Sequence, residues 1–274
     1  MSRTILIPGW YYRNFDADME REVPAEAYGG WRKASQLPFA VDHSALVVMH
    51  GWHCYEPGDF PGWEHAVEYL PRARKIMRRY FPELLRAARN AGLPVFHVAA
   101  GGRYYQELPE YRAVAAAAGE ELPLPQAEAD PVRRELDRFR FAEVSPGAHN
   151  QPDIERSRLA RDFAPEARPE PGEAVVATAR QLFLQCRKHE VNHLVYVGFA
   201  LNWCLQMSPC CMIDMQRYGM LCSTIREATT AVENKESARL EVAKNMELWR
   251  VALQFGFVYD FADFTGALRG AAEQ

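Results

Sequence analysis

The sequence predicts an α/β fold: a three-layer α/β/α sandwich on a mainly parallel, Rossmann-like sheet. Three observations carry this. A continuous apolar run at 45–49 and apolar-rich runs at 95–99, 174–178 and 193–199 read as strands buried on both faces. Helical patterns separate them, and strand–helix–strand alternation builds a parallel sheet covered on both sides. The chain has 274 residues, 48% apolar and 25% charged, enough for one large core and too rich for a disordered chain. Its 17 glycines and 18 prolines are too few for a collagen-like or linker-dominated chain.

Each element follows in order. Residues 1–40 show no sustained period. Trp10, Tyr11, Tyr12, Phe15, Tyr28 and Trp31 are too many aromatics for a solvated tail, so an arm packed on the body or on a second subunit is expected. The domain proper then spans 41–274. Its first strand, 45–49, is followed by a polar loop and a helix from about Tyr69 to Asn90, with Gly92 just past its end. The second strand, 95–99, ends at Gly101-Gly102. Residues 103–173 break the alternation: nine of the eighteen prolines fall here, and an insertion over the body is expected, not a second core. Strand 174–178, helix 180–189 and strand 193–199 resume the rhythm. A helix over 208–218 starts at Ser208-Pro209, a favourable N-cap and first position. A strand at 220–225, a helix capped by Asn234 and running to Phe255, and a strand at 257–259 complete the domain.

Composition excludes several function classes. The formal charge is −4, which does not suit a protein held to nucleic acid by a basic face. Arg72, Arg74, Lys75, Arg78 and Arg79 read as a solvated helix face, as does the run from Glu233 to Glu241. Six cysteines without framework spacing read as reduced thiols. Cys210-Cys211 read as packing. The apolar run before Pro8 is three residues long, too short for a signal peptide, and no window suits a membrane span. A cytoplasmic protein without membrane contact is expected.

Ligands of parallel sheets bind at the carboxyl ends of the strands. There lie His50, Trp52, His53 and Cys54, then Gly101 to Tyr105, then Thr178 and Arg180, then Ala200 to Cys204, then Arg226 to Thr229. Cys204 is the sharpest signal. A thiol between a buried strand and a helix start feels the helix dipole, and the N–H groups of Trp203 and Cys204 form a candidate oxyanion hole. On spacing alone a buried structural cysteine is favoured. A redox thiol is a weaker third class and needs a second sulfur beside Cys204. His50, His53 and His97, with Glu56 or Asp59 near, raise a metal site; hydrogen-bonded structure is the favoured reading, and no metal is expected. Gly101-Gly102 lacks dinucleotide-loop spacing, so no cofactor is implied.

The segment 198-GFALNWC-204 resembles the isochorismatase-like cysteine hydrolases at their nucleophile. The likeness continues through Pro209, Arg217-Tyr218-Gly219 and Arg226-Glu227-Ala228-Thr229, and 45-ALVVMHGW-52 is similar to the family's first strand. It covers about 41–105 and 173–262. The resemblance implies an isochorismatase-like hydrolase fold, a nucleophilic Cys204 and a small amide or related C–N substrate. It also implies a homo-oligomer. The family pairs its cysteine with an Asp and a Lys. Here His50 stands in the Asp position. No Lys occurs between Lys75 and Lys188, and Lys188 lies mid-helix, so the Lys position is empty; Thr178 or Arg180 is nearest.

Two readings follow. In one, His50 and Cys204 form a catalytic pair, Arg180 or Arg226 holds an anionic group, and Trp52, His53, Tyr104, Asn202 and Trp203 contact the substrate. In the other, the chain is a catalytically inactive binder of a small molecule.

Overall fold

A computed structural model describes residues 3–13, 29–122 and 124–272. Eight strands form one sheet: β1 (Thr4–Arg13), β2 (Gly30–Ala40), β3 (Ser44–Met49), β4 (Val95–Val98), β5 (Ala174–Val176), β6 (His193–Phe199), β7 (Leu221–Thr230) and β8 (Val258–Tyr259). Their order is β2-β1-β8-β7-β6-β3-β4-β5. The pairs from β8 to β5 are parallel, and β1 is antiparallel to both neighbours.

The period-2 alternation of strand side chains divides the core. Leu46, Val48, Val195 and Val197 face one side, with helix α2 (Leu70–Asn90), and α10 (Phe261–Ala272) packs there too. Ala45, Val47, Met49, Leu194 and Tyr196 face the other, with α6 (Ala179–Lys188), α8 (Met212–Arg217) and α9 (Val242–Arg250). The expected three-layer architecture is therefore present. Helix α2 buries Leu70, Ala73, Met77, Phe81, Leu84, Leu85 and Ala88 at helical spacing. Gly92 follows at φ +72.

The strand order reverses between β3 and β6. From β3 the sheet grows outward through β4 and β5; from β6 it grows the other way through β7 and β8. Such a switch point leaves a crevice at the carboxyl ends of the two strands. Gly198 sits at this seam with φ +106, and a Cβ there would lie 2.0 Å from the Met49 carbonyl oxygen. Only glycine fits the approach of β6 to β3.

Four expectations are corrected. The segment read as an arm is a hairpin of two long strands that extends the sheet; Trp10, Tyr11, Tyr12 and Trp31 lie on it, while Phe15 and Tyr28 lie outside the described residues. The helix expected over 208–218 is the shorter α8, and a separate short helix, α7 (Cys204–Met207), precedes it. The N-cap of α8 is Cys211, whose sulfur accepts from the Asp214 N–H at 3.5 Å, in place of Ser208. The helix expected from Asn234 begins at Val242. Asn234 caps the preceding turn, through the N–H groups of Glu236 and Ser237. The buried Glu233 carboxylate instead accepts from Ala243 and Lys244 and satisfies the first turn of α9. Arg74 is not on a solvated face: it is buried and ion-paired.

The residues of the expected insertion carry α3 (Pro109–Ala118), α4 (Pro131–Glu143) and α5 (Gln151–Ala160). Helix α4 buries no residue. After α5 the chain returns to the sheet: Phe163 bridges Trp52, His53 N–H donates to the Asp162 carbonyl at 2.9 Å, and Ala164 N–H donates to that of Gly51 at 2.9 Å. The insertion thereby walls the loop after β3. Between this loop and α2 lies the short helix α1 (Pro61–Ala66). No helix among the described residues is long and apolar enough to cross a membrane.

Candidate active site

Cys204 and His50 follow β6 and β3, the strands that flank the switch point. All six cysteines are free; five are buried and Cys204 is half-buried. Burial pushes its thiol up from the ordinary value, while hydrogen bonding from the Ala200 N–H and the Ser208 hydroxyl opposes this. The free thiol is therefore protonated at neutral pH. The Trp203 N–H is already bonded to the Ala200 carbonyl at 3.0 Å, so it is not an open oxyanion donor. The Cys204 N–H, first in α7, has no intrahelical acceptor. Helix α7 is four residues long, and a helix this short adds little dipole.

His50 is 4% exposed and sits at φ +50. Its ring stacks on Trp52 at 4.7 Å and 13°. Among the described residues neither Nδ1 nor Nε2 has a hydrogen-bond partner, so the expected Cys204–His50 hydrogen bond is not formed. Burial, with the nearby Arg161 cation, pulls the imidazole down to about 3. His50 is neutral throughout the physiological range.

The remaining candidates divide. Trp52 and Tyr104 belong to the crevice wall, the indole Nε1 donating to the Tyr104 hydroxyl at 3.0 Å. His53 accepts the Tyr55 N–H on Nδ1 at 3.0 Å and lies against Tyr55; its near side is spent on the loop. Asn202 is spent too, donating to the Val232 carbonyl at 2.9 Å and accepting the Val232 N–H at 2.8 Å. It fastens the turn after β6. Trp203 is 48% exposed. Arg180 is exposed and donates to the Ala118 carbonyl of α3. Arg226 lies inside β7, which runs through Thr230 across a register shift. It contacts the Trp10 and Trp31 rings and pairs with Asp260 at 3.4 Å. That cluster belongs to the hairpin, not to Cys204.

His50, His53 and His97 do not converge. His97 Nε2 is 2.9 Å from the Glu173 carboxylate. Among the described residues no group of three His, Cys, Asp or Glu side chains is arranged to hold a metal.

Two site residues escape the sequence reading. Tyr69, 5% exposed, stacks near Phe199 at 6.1 Å; Cys204 and Arg161 both act electrostatically on its phenol, which burial keeps protonated. Arg161 follows α5. Its guanidinium carbon lies 4.2 Å from the Trp52 ring, and Nη1 donates to the Gly101 carbonyl at 2.5 Å. No spacing rule links residues 60 apart across a proline-rich insertion.

No family model matches the sequence, and no curated protein matches it. Among solved structures the chain is similar to a cysteine hydrolase from Pseudomonas syringae pv. phaseolicola 1448A. The identity is 14% and the TM-score 0.47, over 86% of this chain and 97% of that one. It is similar to an isochorismatase family protein from Desulfovibrio vulgaris subsp. vulgaris str. Hildenborough at 14% identity and TM-score 0.46, over 83% and 98%. It is also similar to an N-carbamoylsarcosine amidase from Thermoplasma acidophilum at 15% and 0.41, over 80% and 96%. At these values the reading of the site rests on the chain's own residues.

Proposed function

We propose that the protein is a hydrolase of small amides or related C–N compounds acting through Cys204. The supporting observation is position: the half-buried thiol among six cysteines stands at the carboxyl end of β6, beside the switch point. In this reading Sγ attacks the carbonyl carbon, and the C–N bond breaks. The thiol proton leaves with the amine, and water cleaves the resulting thioester to a carboxylic acid and regenerates the thiol. Neutral His50 is the acceptor that relays the thiol proton. Its nitrogens are unbonded in the free chain, and the contact with Sγ forms in the substrate complex.

One observation favours a second reading, a non-catalytic binder on the same scaffold. The thiol is raised and has no acid–base partner bonded to it. Two measurements separate them. Alkylation followed by mass spectrometry is expected to label Cys204 ahead of the five buried cysteines, with a rate that climbs only at alkaline pH. Ammonia release from a panel of small amides is expected from the wild type and not from Cys204→Ser. Saturable binding without release gives the second reading.

A further inference from the structure

We infer that the groove beside Arg161 takes an anionic ligand, a small amide that also carries a carboxylate, with Arg161 as the residue that receives the carboxylate. The amide part rests on the function proposed above; the anion part does not.

Arg161 is a cation without a counter-charge. Its Nε is buried and bonded to nothing, and among the described residues no carboxylate pairs with it. The half-buried arginines elsewhere are paired: Arg72 with Glu68 at 2.6 Å, Arg89 with Glu173 at 2.7 Å. Burying a guanidinium without a partner costs free energy, and an anion supplied from outside removes that cost. A guanidinium also presents a planar fork that matches a carboxylate.

Two further observations point the same way. Arg161 opens onto a groove of about 930 Å³ whose wall also holds Arg103 and Arg158. Gly101, Gly102, Tyr104, Gln106 and Leu159 complete it, without an acidic residue. Three arginines and no acid on one groove, in a chain of charge −4, make a local positive field that draws in anions. His50, buried with both nitrogens unbonded, rests on the same indole as Arg161. A neutral imidazole offers one donor and one acceptor on opposite edges of its ring, and a primary amide can meet one of them while the other stays free for the thiol proton. A molecule with an amide at one end and a carboxylate at the other supplies a partner to each of the two orphaned side chains.

The test uses two pairs of probes, succinamate against succinamide and 3-carbamoylbenzoate against benzene-1,3-dicarboxamide. Binding is titrated calorimetrically on the Cys204→Ala protein, which cannot turn them over. The monoanion of each pair is expected to bind about tenfold tighter, the size of one charge-assisted hydrogen bond. Added salt reduces the preference, and Arg161→Gln abolishes it. Equal affinity for anion and diamide overturns the inference, as does a preference unchanged in Arg161→Gln. Should that variant fail to fold, the exposed pair Arg103→Gln/Arg158→Gln serves: it must weaken the salt-dependent part of the preference. Ammonia release is read separately on the wild type. Its absence, with the preference intact, removes the hydrolase reading and leaves the anion site standing.

Discussion

Two arginines reach the loop after β3, one from the body of the domain and one from the insertion. Arg74, on α2, is buried and satisfied: it donates to the carbonyls of Tyr55 at 2.5 Å and Cys54 at 2.9 Å, and pairs with Glu64 at 2.8 Å. Arg161 has a carbonyl and two indoles for company and, among the described residues, no carboxylate. The histidines of the adjacent strands repeat the contrast. His97, in β4, is tied to Glu173, which Arg89 also holds and which these contacts pull down to about 2. His50, just past β3, stacks on Trp52 and has no hydrogen-bond partner among the described residues. Paired polar groups build the wall; in the reading proposed above, the unpaired ones meet the ligand. A domain stable enough to fold tolerates a few such groups where ligand binding compensates them.

Breaking the paired side gives the largest effect. Arg74→Met strands the Glu64 carboxylate and two carbonyls, and is expected to lower the urea-unfolding free energy by about 3 kcal/mol. An unchanged midpoint would erase the distinction between the two arginines. The next effect is pH-dependent. His50 titrates at about 3 in the folded chain against 6.5 unfolded, so below pH 6.5 the unfolded chain binds a proton that the native one refuses. Stability falls with pH from 6.5 toward 3, at up to about 1.4 kcal/mol per pH unit for this one group. His97 and His193 are lowered in the same direction. The difference between wild type and His50→Asn isolates the part due to His50: the variant's acid slope is expected to be shallower. The smallest effect is the sharpest contrast. Arg161→Met removes a charge with no counter-charge and is expected to change stability by less than about 1 kcal/mol in either direction, against the loss at Arg74. A loss of similar size would assign Arg161 to the wall.

The sequence reveals the centre of the fold better than its rim. β3 to β6 and α2 are legible because strands buried on both faces must be continuous apolar runs, and because an amphipathic helix must repeat near 3.6 residues. The hairpin is not. It lies at the sheet's edge, and its alternation is interrupted by a register shift between Ile7 and Gly9, so no period survives. β7 extends past Ile225 through another shift, which hides Arg226 inside a strand. In the site, Cys204 and His50 are legible because the strands that carry them are. That they do not hydrogen-bond to each other is not legible, since no sequence pattern encodes a side chain's partner. Arg161 is invisible for a related reason: the insertion that delivers it folds by contacts with the loop after β3, not by a rhythm of its own.

The hairpin also constrains the order in which the molecule is completed. β1 joins the parallel strands only through β8, where Trp10 lies opposite Val258, and its indole nitrogen donates to Asp260, 250 residues away, at 2.8 Å. On a ribosome β1 and β2 emerge long before their neighbour exists. Until then the pair is a two-stranded ribbon with Trp10 and Trp31 uncovered, too small to persist unaided and open to wrong partners. Contacts of such sequence separation slow folding. The appearance of β8 therefore decides whether the hairpin joins this sheet or another chain's.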